Sequence, residues 1–221
     1  LQQIIDTPYR DDAQYMDDEQ IIVELLQLLV AGNETSSNTL SWTFYLLAKH
    51  PEHIISMREE IETEFGTDEI SYEKMRELNY VVGVLNEAMR LYPPFWMIDR
   101  VALGDDQVCD VKVTAGTTVV PYIYGVHQNE NIWKDPNIFD PTRFLVKNKR
   151  HPFSHIPFGG GNRVCIGQNM AMMQMLLVIV SIVRRYDFVL ESDKEIHKRA
   201  MMILRPDGPI NMRFCRAMKA S

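Results

Sequence analysis

The stretch from Phe158 to Gly167 constrains the fold more than any other part of the chain. It reads Phe-Gly-Gly-Gly-Asn-Arg-Val-Cys-Ile-Gly and runs directly into an apolar helical pattern. Glycines tolerate φ > 0 conformations that other residues resist, so this backbone can fold into a tight loop. Cys165 stands at the start of the predicted helix, where free N–H groups and the positive end of the helix dipole favour an anion. The loop can therefore present a thiolate as a metal ligand.

Two other interpretations of the loop are possible. A phosphate-binding G-x-G-x-x-G fingerprint fails, because Val164 stands where the third glycine would be needed. A buried structural cysteine in a glycine turn is the stronger alternative, since a free cysteine often acts as a small core hydrophobe.

Composition excludes several classes of protein. The 221 residues are 46% apolar, which is enough for a real core, and the net charge of −7 gives no basic surface for nucleic acid. The apolar runs are shorter than the roughly 20 residues of a membrane-spanning helix, so no membrane segment is expected.

Three cysteines without a C-x-x-C pair disfavour disulfides or a zinc ribbon and favour a reducing compartment. The chain begins at Leu1, and we expect a preceding half to be missing.

A long helix is predicted from Glu19 to Lys49, with Asp17 as its cap. Its middle, residues 31–39, is rich in weak helix formers. Gly32 would let a flat ligand approach the backbone, and the Thr35 hydroxyl can bond back to a carbonyl and open the helix locally. The alternative is a kink without chemistry.

His50 and His53 flank the predicted end of this helix at Pro51. Two histidines suggest a metal site, but a helix boundary lies between them and neither a cysteine nor a third histidine is near. They are expected to be surface residues.

The remaining pattern predicts a mainly α protein with small β-sheets, an α+β fold. Helices are expected over 78–91 and 168–185, a strand over 95–101, and a hairpin over 104–118 with its turn at Ala115-Gly116. Short terminal strands follow over 186–190, 200–204 and 210–214.

The spacing Phe158-x-x-Gly161-x-Arg163-x-Cys165-x-Gly167 resembles the haem-thiolate loop of the cytochrome P450 monooxygenases. Two further motifs are similar to segments of that family. Ala31-Gly32-x-Glu34-Thr35 is similar to its oxygen-binding segment. Glu87-x-x-Arg90, with Arg143 in Pro-x-Arg-Phe, is similar to its buried Glu–Arg–Arg lock. The motifs follow the family order from residue 17 to residue 215.

The resemblance implies the C-terminal haem-binding half of the P450 fold, with a long central helix packed opposite the cysteine loop and its following helix. Residues 1–221 would then form a single C-terminal segment of a larger domain whose N-terminal half is absent.

The resemblance also implies roles for particular residues. The cofactor would be haem b, with the Cys165 thiolate as the axial metal ligand. The other cofactor-binding residues would be Arg163, Arg100, Phe158, Gly159, Gly161, Gly167, Ala31 and Gly32. Thr35 and Glu34 would relay protons during catalysis, and Glu87, Arg90 and Arg143 would form the structural lock. Phe95, Met97 and Met202 would contact the substrate, with plain core packing as the alternative for the first two.

The implied activity is that of a monooxygenase that activates O2 to hydroxylate or epoxidise a small apolar organic substrate. Electrons would come from a reductase or from a ferredoxin or flavodoxin partner. A soluble cytoplasmic location is favoured, or the cytoplasmic face of a membrane if a missing N-terminal anchor exists. The alternatives are a truncated haem-binding relic without turnover and a structural domain without haem.

Overall fold

The computed structural model describes residues 2–8, 14–66, 68–146 and 150–217. The chain divides into two compact units, Leu1–Ser37 and Asn38–Ser221, and each is described by itself. The architecture is mainly helical with small antiparallel sheets, which confirms the predicted fold class. In the described residues, no helix is both long enough and apolar enough to cross a membrane.

Seven α-helices form the framework within the described residues. Their bounds are α1 (Gln2–Asp6), α2 (Asp18–Lys49), α3 (Pro51–Phe65), α4 (Tyr72–Met75), α5 (Asn79–Leu91), α6 (Ile123–His127) and α7 (Gln168–Val183).

Helix α2 begins at a reciprocal cap. The carboxylate of Asp17 accepts from the backbone N–H of Gln20 at 2.8 Å, while the Gln20 side chain accepts from the Asp17 N–H at 3.3 Å. This capping box satisfies two backbone donors at the helix N-terminus. The helix then continues without a break to Lys49. The predicted local opening near Thr35 is therefore wrong: the Thr35 hydroxyl does bond back to Ala31, but the helical pattern persists around it.

The core of the second unit lies between α3, α5, α7 and the last turns of α2. Trp42, Leu47, Met57, Leu85 and Ile179 are all completely buried. Burial of such apolar surface, at about 25 cal/mol per Å², is the main force that holds these helices together.

Arg58 on α3 joins that helix to the far end of α7. Its Nε donates to the carbonyl of Val183 at 2.8 Å and its Nη2 to that of Tyr186 at 2.7 Å, while Nη1 pairs with Asp187 at 2.7 Å. The guanidinium therefore satisfies carbonyls where α7 ends and the next strand begins.

In the described residues of the second unit, four two-stranded antiparallel sheets complete the fold. The pairs are β1 (Arg100–Val101) with β4 (Thr118–Val119), β2 (Asp106–Val108) with β3 (Val111–Val113), β5 (Tyr186–Leu190) with β8 (Met212–Arg216), and β6 (Lys198–Ala200) with β7 (Leu204–Pro206).

Three predicted strand features are wrong in detail. The strand expected over 95–101 is confined to β1. The backbone groups just before β1 bond to three separate segments and not to one strand. The N–H of Leu204 donates to the carbonyl of Pro94, the N–H of Tyr124 to that of Trp96, and the N–H of Ile98 to that of Pro121.

The hairpin turn lies at Cys109-Asp110, with Cys109 at φ 51, and not at Ala115-Gly116. The latter pair instead connects toward β4, which pairs with β1. The strand expected over 200–204 is a hairpin, in which Ala200 on β6 pairs with Leu204 on β7.

Candidate functional site

The cysteine loop folds around two left-handed glycines. Gly159 has φ +75° and Gly161 has φ +69°, a region that favours glycine. The N–H of Gly159 donates to the carbonyl of Ile156 at 3.0 Å, and the N–H of Cys165 donates to the carbonyl of Phe158 at 3.0 Å. The loop therefore closes on its own backbone and fixes the main chain at Cys165.

A third glycine explains how tightly the loop packs. A Cβ built on Gly160 would lie 2.7 Å from Cε1 of Phe153, closer than real Cβ contacts come. The ring of Phe153 thus occupies the space that a side chain at position 160 would need.

Cys165 is exposed, which makes the interpretation as a buried structural cysteine wrong. Helix α7 begins three residues later, with Gly167 as its cap. The neighbouring side chains are also exposed: Ile166 at 94% and Val164 at 48% of their surface. A thiol between apolar side chains suits a flat apolar ring that carries a metal with affinity for sulfur, so the residues present fit haem.

The other loop residues occupy different environments. Arg163 ends a 3-10 turn that spans Gly161–Arg163 and is exposed. Phe158 is half-buried and packs against the core. Arg100 lies on β1, is exposed, and donates from Nη1 to the carbonyl of Asp99 at 2.7 Å. Both arginines present cationic groups to solvent.

The residues predicted to contact substrate lie on two neighbouring segments. Nε1 of Trp96 donates to the carbonyl of Met201 at 2.8 Å, and the N–H of Leu204 donates to the carbonyl of Pro94 at 2.8 Å. These bonds bring together the segments that carry three exposed apolar side chains: Phe95, Met97 and Met202.

The predicted oxygen-binding residues belong to the first unit, on α2. The hydroxyl of Thr35 donates to the carbonyl of Ala31 at 2.7 Å, the back-bond that the sequence predicts. Glu34 is exposed and Thr35 is half-buried. A Cβ built on Gly32 would meet nothing within 4 Å among the described residues, which leaves room beside the backbone.

Glu87 and Arg90 form a completely buried bidentate ion pair on α5. Nε of Arg90 donates to Oε2 of Glu87 at 2.7 Å, and Nη2 donates to Oε1 at 2.7 Å. Nη1 of Arg90 donates to the carbonyl of His127 at 2.8 Å. Burial raises the pKa of Glu87 above its ordinary value, and the hydrogen bonds from Arg90 oppose that shift.

Arg143 completes the predicted lock. Its Nε lies 3.3 Å from Oε1 of Glu87, an ion pair without hydrogen-bond geometry. Its Nη atoms donate to the carbonyls of Lys134 and Asp135, and the N–H of Asp140 donates to Oε1 of Glu87 at 3.1 Å. The carboxylate of Glu87 therefore ties α5 to the segment that contains Arg143.

Two histidines that sequence reasoning missed, the buried His127 and the half-buried His155, connect this lock to the segment leading into the cysteine loop. Nε2 of His127 accepts from the N–H of Ile156 at 3.0 Å, and Nε2 of His155 lies 3.1 Å from the carbonyl of Asn86. Burial lowers the pKa of His127 to about 4, helped by the charge of Arg90, and burial lowers that of His155 to about 3. Both rings are therefore neutral at pH 7.

Gly83 is another residue whose role the sequence did not reveal. A Cβ built there would lie 3.0 Å from the carbonyl of Pro141. The glycine thus allows α5 to approach the 3-10 turn Pro141–Phe144, which carries Arg143. A glycine inside a helical pattern was the available signal.

Comparison with known proteins gives a consistent result. A family model described as cytochrome P450 matches residues 1–214. The chain is 30% identical over 206 residues to cytochrome P450 4A14 of Rattus norvegicus, covering 92% of this chain and 41% of the relative. It is 35% identical over 205 residues to cytochrome P450 4F5 of Rattus norvegicus, covering 90% and 39%.

A bacterial relative is similar to the same extent. The putative cytochrome P450 132 of Mycobacterium tuberculosis (strain CDC 1551 / Oshkosh) is 34% identical over 190 residues, covering 86% of this chain and 41% of the relative. The chain thus spans about two fifths of the length of these curated relatives.

Proposed function

Because the chain belongs to the cytochrome P450 family, we propose that it supplies the haem-binding segment of a longer P450 monooxygenase domain. Haem, O2, an organic substrate and a redox partner are implied for the family as a whole. For this chain we propose haem b as the cofactor and a small apolar organic molecule as the substrate. Electrons would come from a reductase, a ferredoxin or a flavodoxin.

One observation carries the proposal: the glycine loop closes on its own backbone and presents the exposed side chain of Cys165 between apolar neighbours. Cys165 would supply the axial thiolate. When bound, haem supplies the activation of O2 and the transfer of oxygen to the substrate.

The remaining roles belong to this chain's own side chains. Arg163 and Arg100 would pair with the carboxylates of the haem through charge-assisted hydrogen bonds. Phe95, Met97 and Met202 would offer apolar surface to the substrate and exclude water from it.

Thr35 and Glu34 would hold and deliver protons. The back-bond to Ala31 orients the Thr35 hydroxyl and holds its proton, which must turn away from that carbonyl before it can be delivered. A transferred proton can then be replaced through the exposed carboxylate of Glu34.

The proposal is tested on the complete protein by measuring product formed per reducing equivalent consumed, with a panel of apolar substrates. Thr35→Ala should consume electrons but form at least tenfold less product per electron. The matched control is Thr63→Ala on α3, where the same back-bond runs to Glu59 at 2.7 Å, and it should keep the parent ratio. A Thr35→Ala variant with the parent ratio would contradict the proton-delivery role.

A further inference from the structure

Two histidines and a glutamate lie together where α2 ends and α3 begins, away from the cysteine loop in sequence. His50 is the cap of α3, and Glu52 and His53 stand in its first turn. Nδ1 of His50 lies 3.4 Å from Oε1 of Glu52. One ligand atom from each of the three residues can be chosen so that all lie within 4.8 Å of one another.

These separations suit a single ion. Ligands that bind tetrahedral zinc at about 2.0–2.1 Å stand roughly 3.4 Å apart, which is the spacing between His50 and Glu52. The third ligand atom lies within 4.8 Å of the other two, so the more exposed side chains of His50 and Glu52 would turn toward His53 to share one ion.

The helix boundary, which argued against a metal site at the level of sequence, is what brings the two histidines together. The cap residue and the third residue of a helix face each other, as in a capping box. Pro51 occupies the first helical position between them, and the centroids of the two imidazole rings are 6.0 Å apart.

The ring of His53 is already held in place. Its Nδ1 lies 2.7 Å from the hydroxyl of Tyr80 on α5, and its ring makes a T-shaped contact with that of Phe139, with 5.1 Å between centroids. A histidine that binds a metal through one ring nitrogen commonly has such a hydrogen-bond partner on its other nitrogen, which fixes the orientation of the ring.

We propose that His50, Glu52 and His53 form a binding site for Zn2+. Two imidazoles and a carboxylate are the ligand types that zinc prefers, and the side chains of His50 and Glu52 are 39% and 64% exposed, so an ion can enter and water can complete its coordination. The ion would bind at the N-terminus of α3, directly after the end of α2.

Zinc binding at this site should stabilise the folded chain. An ion that binds only the folded chain stabilises it by mass action, so the melting temperature should rise with Zn2+ concentration. The rise should disappear when a ligand is removed.

Zn2+ titration of the complete protein by calorimetry tests the site. Cys109 and Cys215 are exposed thiols that bind zinc themselves, so every variant carries serine at both positions, and Cys165 is common to all. His50→Ala and His53→Ala should each bind one zinc ion fewer than the parent. Glu52→Gln should lower the zinc affinity of the site at least tenfold. Tyr80→Phe keeps the three ligands and should weaken it about 10–100-fold.

His197→Ala is the control, since His197 is exposed and lies outside this cluster. Circular dichroism checks that each variant is folded, and Glu52→Gln alters an exposed side chain, where substitutions usually change stability little. Unchanged zinc affinity in His50→Ala, His53→Ala and Glu52→Gln would overturn the proposal.

Co2+ provides a second readout of the ligand types. Bound at this site, it should show no thiolate-to-metal charge-transfer absorption. A strong absorption of that kind, retained in His53→Ala, would place the ion on a cysteine and overturn the assignment.

Discussion

The cluster around Glu87 and the loop around Cys165 both belong to the second unit, and they are built in opposite ways. Glu87 and Arg90 are completely buried, and they are satisfied by their own ion pair together with backbone partners on His127 and Asp140. Cys165 is exposed, and the loop holds its shape through backbone bonds and two left-handed glycines.

The difference teaches that stability and ligand presentation are separated in this fold. A buried charge that loses its partner is costly, whereas an exposed side chain can change without loss of folding. The cluster should therefore control whether the chain folds, and the loop should control what the folded chain binds. His127 connects them, because its carbonyl accepts from Arg90 and its ring accepts from the N–H of Ile156.

The largest effect is expected at the buried cluster. Glu87→Gln leaves two arginine charges without their carboxylate, and we expect a loss of about 3–5 kcal/mol in the free energy of unfolding. Denaturant unfolding measures this loss. The control, Glu191→Gln, removes an exposed pair with Arg213 and should cost less than about 1 kcal/mol. Equal effects of the two substitutions would remove the distinction between the regions.

His127 and His155 should make stability depend on pH. Their folded-state pKa values, about 4 and about 3, lie below the ordinary 6.5, so the unfolded chain binds more protons below pH 6.5. The stabilising contribution of the two neutral histidines should be fully present above pH 6.5. As the pH drops toward 4, the free energy of unfolding should fall by about 1.4 kcal/mol per pH unit for each histidine.

Denaturant unfolding between pH 7 and pH 5 checks this dependence. His127→Gln should remove about half of it, and His197→Gln should leave it unchanged. The difference between parent and variant isolates the histidine from other titrating groups. A parent protein equally stable at pH 7 and pH 5 would show that these rings are not held neutral.

A smaller effect is expected in the loop backbone. Gly161→Ala places a side chain at φ +69°, which should cost about 1 kcal/mol or more. Gly104→Ala is the matched control, because Gly104 has no left-handed φ and a Cβ there would meet nothing within 4 Å among the described residues. Thermal unfolding of the two variants should rank them in that order, and the reverse order would contradict the role of the left-handed turn.

The smallest effect on stability is expected at the cysteine itself. Cys165→Ala changes an exposed side chain, so the free energy of unfolding without cofactor should shift by no more than about 0.5 kcal/mol. Denaturant unfolding of the cofactor-free protein measures it. A loss of several kcal/mol would mean that the thiol has a structural role after all.

Features with local signals were predictable from sequence. The cap at Asp17, the end of α2 at Pro51 and the cysteine loop all depend on residues a few positions apart. The Glu87–Arg90 spacing also indicated an ion pair, although its complete burial required the fold.

Features that depend on distant partners were not predictable from pattern alone. His127 meets Ile156 across 29 positions, and neither residue has a local signal for that bond. The expected strand over 95–101 failed because its backbone partners come from separate segments, which periodicity cannot reveal. The His50–Glu52–His53 cluster depends on the geometry of a helix cap, which spacing alone disfavoured.

The central claim, that Cys165 supplies a thiolate to haem, is tested most directly by the absorption spectrum of the complete, reduced protein under carbon monoxide. The account predicts the red-shifted Soret band of thiolate ligation, lost in Cys165→Ala and kept in Cys215→Ala. An unshifted band typical of histidine ligation, or a red-shifted band that survives Cys165→Ala, would contradict it.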